Sequence, residues 1–207
     1  MIINATIAKG SKITMKDGSY KSVEDIVIGD EVQTYNMTDP DFDAANIKFN
    51  EQLGTKVVSC GKSVEDVDLV KITLESISYD NYGDKIIDTN TLVIDKRCLI
   101  MGGSGFGWLA TAINSLSSDL TDTLKEIITE KVKPLEVDKY VSADSDKSLE
   151  DQKIISIEEV SEVETYCIDE LENGDSIFVN DVMVGVERED STFNEDLAER
   201  ELPWVGE

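Results

Sequence analysis

Residues 8 to 32 read Ala8-Lys9-Gly10-Ser11-Lys12-Ile13-Thr14-Met15-Lys16-Asp17-Gly18-Ser19-Tyr20-Lys21-Ser22-Val23-Glu24-Asp25-Ile26-Val27-Ile28-Gly29-Asp30-Glu31-Val32. From Ser11 to Met15 polar and apolar side chains alternate, the period of a strand with one buried face. Lys16-Asp17-Gly18-Ser19 is a hairpin turn, since Gly supplies the positive φ that such turns demand, and Tyr20 to Val23 leaves it as a second strand. Val23 to Asp30 is a short turn-like connection, after which Glu31 to Tyr35 is the next strand. Short β-branched runs closed by turn residues predict a mainly β protein.

The pattern continues outward. Asn36 to Asn46 is a polar loop, followed by strands at Lys56 to Cys60 and Val70 to Leu74. A hairpin turning near Tyr79 to Asp84 leads to Thr91 to Ile94 and then to Cys98 to Met101. Gly102, Gly103, Gly105 and Gly107, around Phe106 and Trp108, form a loop. The period then changes: Leu109, Ile113, Leu116, Leu120, Leu124 and Ile127 fall on one helical face, predicting one long helix or two short ones divided near Ser117-Ser118-Asp119. Polar, acidic Ser142 to Asp151 reads as a loop or linker. Strands return at Lys153 to Ile157, Thr165 to Ile168 and Ser176 to Val179, with Asn180-Asp181 as the turn into Val182 to Val184.

Composition limits the chemistry. The chain has 207 residues and 22.9 kDa, suiting one domain of ordinary size or a domain with a smaller insertion, and 19 basic against 44 acidic residues give 19 − 44 = −25. Such a charge repels phosphate backbones and anionic lipid, which argues against nucleic-acid and membrane partners. There is no His, so Ser-His-Asp and Cys-His catalysis and His-containing zinc sites are excluded. A 40% hydrophobic share is enough for a folded core. Cys60, Cys98 and Cys167 include no CxxC pair, so they predict buried free thiols in a reducing compartment; Cys167, in a β run, is a packed thiol with no base beside it. The N-terminus is too polar for a signal peptide and no apolar run reaches membrane-spanning length, so the expected location is the cytoplasm. Two acidic loops imitate Ca²⁺ sites without completing one. In Asp39-Pro40-Asp41-Phe42-Asp43 an EF-hand would need Gly where Ala44 stands, and Asp144-Ser145-Asp146-Lys147-Ser148 is followed by Leu149 at the Gly position. The glycine loop lacks both the GKS/T ending and the GxGxxG order. No cofactor and no metal are expected.

Taken in order, these segments resemble the Hint fold shared by inteins and the autoprocessing domain of Hedgehog proteins, especially small Hint domains encoded by phages. Ala8 to Val32 resembles the family's opening strand, DG turn and I-x-x-G-D-x-V signature. Ile155 to Glu159, Thr165 to Ile168 and Ser176 to Val184 resemble its closing strands, with a weaker match at Lys71 to Leu74 and Val93 to Met101. The resemblance implies a β horseshoe of paired hairpins over residues 6 to 186, with Thr6 beside Val184-Gly185 at its centre. It also implies a helical insertion near 109–130 within a less matched stretch of about 109–150, and an acidic tail at 187–207. The family's first nucleophile, Cys or Ser, corresponds to Thr6. Its middle Thr and His correspond to Ile94 and Arg97, although a gap would shift the match to Thr89 to Leu92. Its closing His-Asn corresponds to Gly185 and Val186. Arg97 cannot accept a proton, and Val186 has no side chain to cyclise.

The implied protein is a non-splicing, catalytically inactive Hint-like module of a tailed-phage virion, in the tail, baseplate or neck. It would be part of a multi-subunit assembly with other phage structural proteins, made in the host cytoplasm and then carried in the particle. Met1 stands only five residues before Thr6, so no interrupted host protein is expected. The alternative is residual self-cleavage before Thr6 through an N-to-O acyl shift. Residues 187 to 207 carry eight acids and two bases, 2 − 8 = −6, too polar to fold alone. Within them Leu202-Pro203-Trp204-Val205 is an apolar element suited either to a partner contact or to anchoring the tail on its own domain.

Overall fold

Ala5–Ala8 (β1), Lys12–Thr14 (β2) and Tyr20–Ser22 (β3) open the computed structural model, which describes residues 5–34, 54–63, 67–103, 108–110, 133–145, 148–174 and 176–188. The expected first hairpin forms: Met15 N–H donates to Ser19 O at 2.8 Å, Gly18 N–H to Met15 O at 2.9 Å, and Gly18 takes φ +81°. After a single 3-10 turn at Val23–Asp25, the I-x-x-G-D-x-V signature proves to be a tie between strands. Gly29, at φ +91°, donates its N–H to Val57 O at 2.8 Å, and Val57 N–H donates back to Asp30 O at 3.0 Å. Asp30 Oδ2 accepts from Val27 N–H at 2.8 Å and from Lys21 Nζ at 2.6 Å. Burial alone would raise this carboxyl, but those two donors outweigh it and hold it below its usual range. The turn thereby joins β3 to Glu31–Gln33 (β4) and Gly54–Lys62 (β5), which pair antiparallel.

Leu69–Tyr79 (β6) and Lys85–Asp95 (β7) make a long hairpin around the expected Asp80–Asp84 turn. Ile100–Met101 (β8), Trp108–Ala110 (β9), Lys133–Pro134 (β10), Tyr140–Ser145 (β11), Ser148–Val160 (β12), Thr165–Leu171 (β13), Ser176–Val179 (β14), Val182–Gly185 (β15) and Glu187–Arg188 (β16) complete the strands. The sheet order is β10-β9-β8-β15-β11-β12-β6-β7-β1-β13-β5-β4, with β2 and β3 joined through β14, and β16 lying along β13. Asn180 and Asp181, at φ +47° and +67°, turn β14 into β15 as expected. Ile7, Ile72, Leu92, Ile154, Ile168 and Ile177 are fully buried between these strands.

Two sequence expectations are corrected. Leu109 and Ala110 belong to β9, paired with β8 at Ile100↔Leu109 and with β10, not to a helix. A leucine heading a helical stripe also suits a strand when a neighbouring strand offers backbone partners. The remainder of the stripe, from Ile113 to Ile127, lies outside the described residues. Ser142 to Asp151 is not a loop: β11 and β12 form a hairpin in register from Tyr140↔Lys153 to Ser145↔Ser148. Alternate residues Val141 and Ala143 are fully buried there, and Ala143 pairs with Val182, so packing overrides polar composition. Asp144, Ser145, Ser148 and Leu149 belong to that hairpin, while Asp146 and Lys147 lie outside the described residues. Strand pairing also passes residue 186, since Glu187 and Arg188 pair in parallel with Glu170 and Leu171. The Asp39 to Asp43 loop and Leu202, Pro203, Trp204 and Val205 lie outside the described residues.

Beside the end of β1, Glu164 gathers three donors, from the turn after β1, from β5 and from β13. Its Oε2 accepts from Lys9 Nζ at 3.1 Å, and its Oε1 from Lys62 Nζ at 2.7 Å and from the Tyr166 hydroxyl at 3.1 Å. The hydrogen bond from Lys62, then that from Lys9, brings the carboxyl down from 4.5 to about 2. A depressed carboxylate contributes stability above its unfolded value and loses it as pH falls toward the folded one. Between pH 4.5 and 2, urea midpoints should therefore fall more steeply for the parent than for Glu164→Gln, and 1 M salt should shrink the difference because the group is solvent-accessible. Parallel acid limbs would contradict this.

Candidate functional site

Thr6 lies in β1 with 2% of its surface exposed. Its backbone faces Cys167 of β13, and the next residue, Ile7, pairs with Ile94 of β7. From β7 the chain turns sharply through Asp95-Lys96-Arg97-Cys98: Cys98 N–H donates to Asp95 O at 3.0 Å, and Lys96 N–H to Asp68 O at 2.8 Å. The turn delivers the Cys98 thiol to Thr6 O, to which Sγ donates at 3.6 Å. One residue on, Leu99 O accepts from Gly185 N–H at 2.9 Å, and Val184 pairs with Ile100. The Cys98-Leu99 step thus touches Thr6 on one side and the Val184-Gly185 segment on the other, which gives the expected juxtaposition its physical link.

The five matched positions have distinct environments. Ile94 is 1% exposed and sits in the main apolar core, as does fully buried Val186. Gly185 pairs with Ser176. Arg97 turns toward Asp95: Nε and Nη2 donate to the two carboxylate oxygens at 3.0 Å each, and its N–H donates to Oδ1 at 2.7 Å. Asp95 is 2% exposed, so this guanidinium is the counter-charge of a buried carboxylate. Asp95 and Cys98 are site residues that sequence reading missed. The acid-x-Arg spacing was the one available signal for the ion pair, and nothing local announces that Cys98 reaches Thr6.

Two cysteines adjoin the Thr6 backbone: Cys98 through its thiol, and Cys167 as the cross-strand pairing partner. Burial, followed by the nearby Asp95 charge, pushes Cys98 up to about 12. Burial, followed by the charge of Asp169, also pushes Cys167 up to about 12; its Sγ lies 3.4 Å from Gly61 O and 3.5 Å from Asp169 Oδ2. Cys167 therefore does have a carboxylate beside it, contrary to expectation, although that charge opposes thiolate formation. All three cysteines are thiols outside any disulfide; Cys98 is buried as expected, whereas Cys60 and Cys167 are only half-buried. At neutral pH both thiols therefore stay protonated.

No family model and no curated protein matches this chain. Solved structures do. A DnaB intein from Synechocystis sp. PCC 6803 is similar with a TM-score of 0.52 at 14% identity, over 89% of this chain and 99% of that one. An Ssp DnaB mini-intein variant gives 0.51 at 13% identity, over 88% and 93%. A bacterial intein-like domain from Clostridium thermocellum gives 0.50 at 13%, over 87% and 97%. The chain has the Hint fold. At these identities the likeness is one of architecture, and within that Hint architecture the chemistry around Thr6 is set by this chain's own residues.

Two measurements probe the site. At pH 8 a thiol titrating near 12 has roughly a thousandfold less thiolate than one at 9, so iodoacetamide should label native Cys98 and Cys167 at least about a hundredfold more slowly than the same residues in urea. Equal rates would refute the buried, protonated state. Arg97→Leu should lower urea stability by about 1 to 3 kcal/mol by removing the charge and two of the three donors that face the buried Asp95 carboxylate, and Asp95→Asn combined with Arg97→Leu should recover most of the loss. An additive double variant would show that the pair does not act as a unit.

Proposed function

We propose that this chain is a Hint domain that neither splices nor cleaves itself, and that it acts as a structural or interaction module. Following the resemblance to phage-encoded Hint proteins, its place is a tailed-phage virion, in the tail, baseplate or neck, among other phage structural proteins. The observation that carries the inert reading is the use made of the matched acid–base positions. Arg97 neutralises buried Asp95, Ile94 is core, and buried Val186 leads into β16. A net charge of −25 supports an exposed part that stays soluble until it meets its partners.

Self-cleavage before Thr6 is the second reading, favoured by the contact that holds the Thr6 carbonyl against Cys98 at 3.6 Å and so fixes the strand in which an acyl shift would occur. Intact-mass analysis separates the two. After prolonged incubation with dithiothreitol and then hydroxylamine, the chain should remain at its full 22.9 kDa. A product lacking residues 1–5 would establish autoprocessing. Peptide mapping of purified phage particles should detect the chain, and its absence from them would reject the virion assignment.

A further inference from the structure

The β6–β7 hairpin runs beyond the sheet that anchors it. Strand β12 accompanies β6 only as far as Lys153↔Glu75, and β1 meets β7 only at Ile7↔Ile94. Among the described residues, no strand pairs with the outer edge of β7 from Lys85 to Thr89. The turn fixes where those backbone groups point. Gly83 N–H donates to Asp80 O and Asp80 N–H to Asp84 O, both at 3.0 Å, closing a hydrogen-bonded pair at 80/84. Alternation along an antiparallel ladder then places the next rungs at Ser78↔Ile86 and Ser76↔Asp88. Lys85, Ile87 and Thr89 consequently direct N–H and C=O away from β6. Thr91, of the same parity, agrees: its C=O accepts from the Asn180 side chain at 2.8 Å, outside the ladder.

The side chains around this edge are apolar and open. Ile77 and Ile87 face each other at 49% and 50% exposure, Tyr79 follows on the same face at 69%, and Ile86 lies on the other face at 42%. A two-stranded arm gives such groups little cover, whereas a third strand would bury them. Charge selects the occupant. The arm's end carries Asp80, Asp84 and Asp88 against Lys85, on a chain of net charge −25. A second copy would bring the same carboxylates to the edge, and a cationic strand would neutralise them.

We infer that the Lys85–Thr89 edge is a strand-addition site for an extended cationic segment of another protein. Apolar residues at alternate positions of that segment pack on Ile87 and Ile77, and Lys or Arg residues lie near Asp84 and Asp88. This rests on the reading of the chain as an interaction module and gives that module its surface.

The probe is a capped heptapeptide alternating arginine or lysine with valine, titrated into the full chain while amide hydrogen exchange is followed residue by residue. Saturable binding should slow exchange at Lys85, Ile87 and Thr89 about tenfold or more, and leave Ile86 and Asp88, already in rungs, unchanged. Ile87→Thr, at a half-exposed position that keeps a β-branched side chain, should weaken binding about tenfold, and a peptide with glutamate in place of the cations should not bind. Three results would overturn the assignment: no protection at those amides, equal protection by the acidic peptide, or protection that grows with protein concentration alone, which would give the edge to a second copy. Intact mass on the same samples keeps the two ideas apart, because cleavage before Thr6 would refute the inert centre without altering this edge.

Discussion

Strand β1 is covered along its whole length, with every residue from Ala5 to Ala8 at 6% exposure or less. A strand so enclosed cannot leave backbone groups unpaired without a cost of a few kcal/mol each, so its position dictates what must lie beside it. Strand β13 supplies a four-residue register, Ala5↔Ile168 to Ala8↔Thr165, and β7 meets the other edge at Ile7↔Ile94. The first strand is therefore completed only when segments from the middle and the far end of the chain arrive. Glu164 then fastens the open end by holding Lys9, Lys62 and Tyr166 together.

The charge pattern follows a related constraint. With 44 acids and 19 bases, most carboxylates must face water, and two of those drawn inward take a cation with them. Asp95 takes Arg97 from the same turn, and Asp30 takes Lys21 from the neighbouring strand. Both pairs fix changes of chain direction, one delivering Cys98 to Thr6 and the other setting Gly29-Asp30 against β5. Each is worth more as a determinant of geometry than as net stability, since exchanging solvation for an ion pair nearly balances.

Legibility in the sequence tracks locality. The Asp17-Gly18 turn, the Gly29-Asp30 signature and the Asn180-Asp181 turn were readable because each depends on a positive φ or an adjacent side chain. The β11–β12 hairpin was not readable. Its stabilising contacts, Ala143↔Val182 and Ile154↔Leu74, are long-range, while its local composition is that of a loop. Periodicity places Leu109 on a helix, a signal blind to the backbone partner Ile100 provides. At the site, the matched positions could be numbered from the opening and closing motifs, and Thr6 and Gly185 do meet the same step. What joins them, the Cys98 thiol and the Leu99 carbonyl, carries no local mark.

The matched positions also bear on why such a centre can be stable. A buried proton-transfer group must be desolvated and yet left with an unsatisfied reactive direction, which is a standing cost to the fold. Ile94 and Val186 remove that requirement at two positions, each burying apolar surface worth about 1.5 to 3 kcal/mol. Arg97 relocates its charge to the rim, with its side chain 46% exposed while Asp95 beneath it is nearly closed off. The Cys98 thiol is directed to the Thr6 backbone carbonyl, and that of Cys167, the cross-strand neighbour of Thr6, to Gly61 O and Asp169 Oδ2. Apolar burial at two of the matched positions and an ion pair at a third make this a centre held by packing.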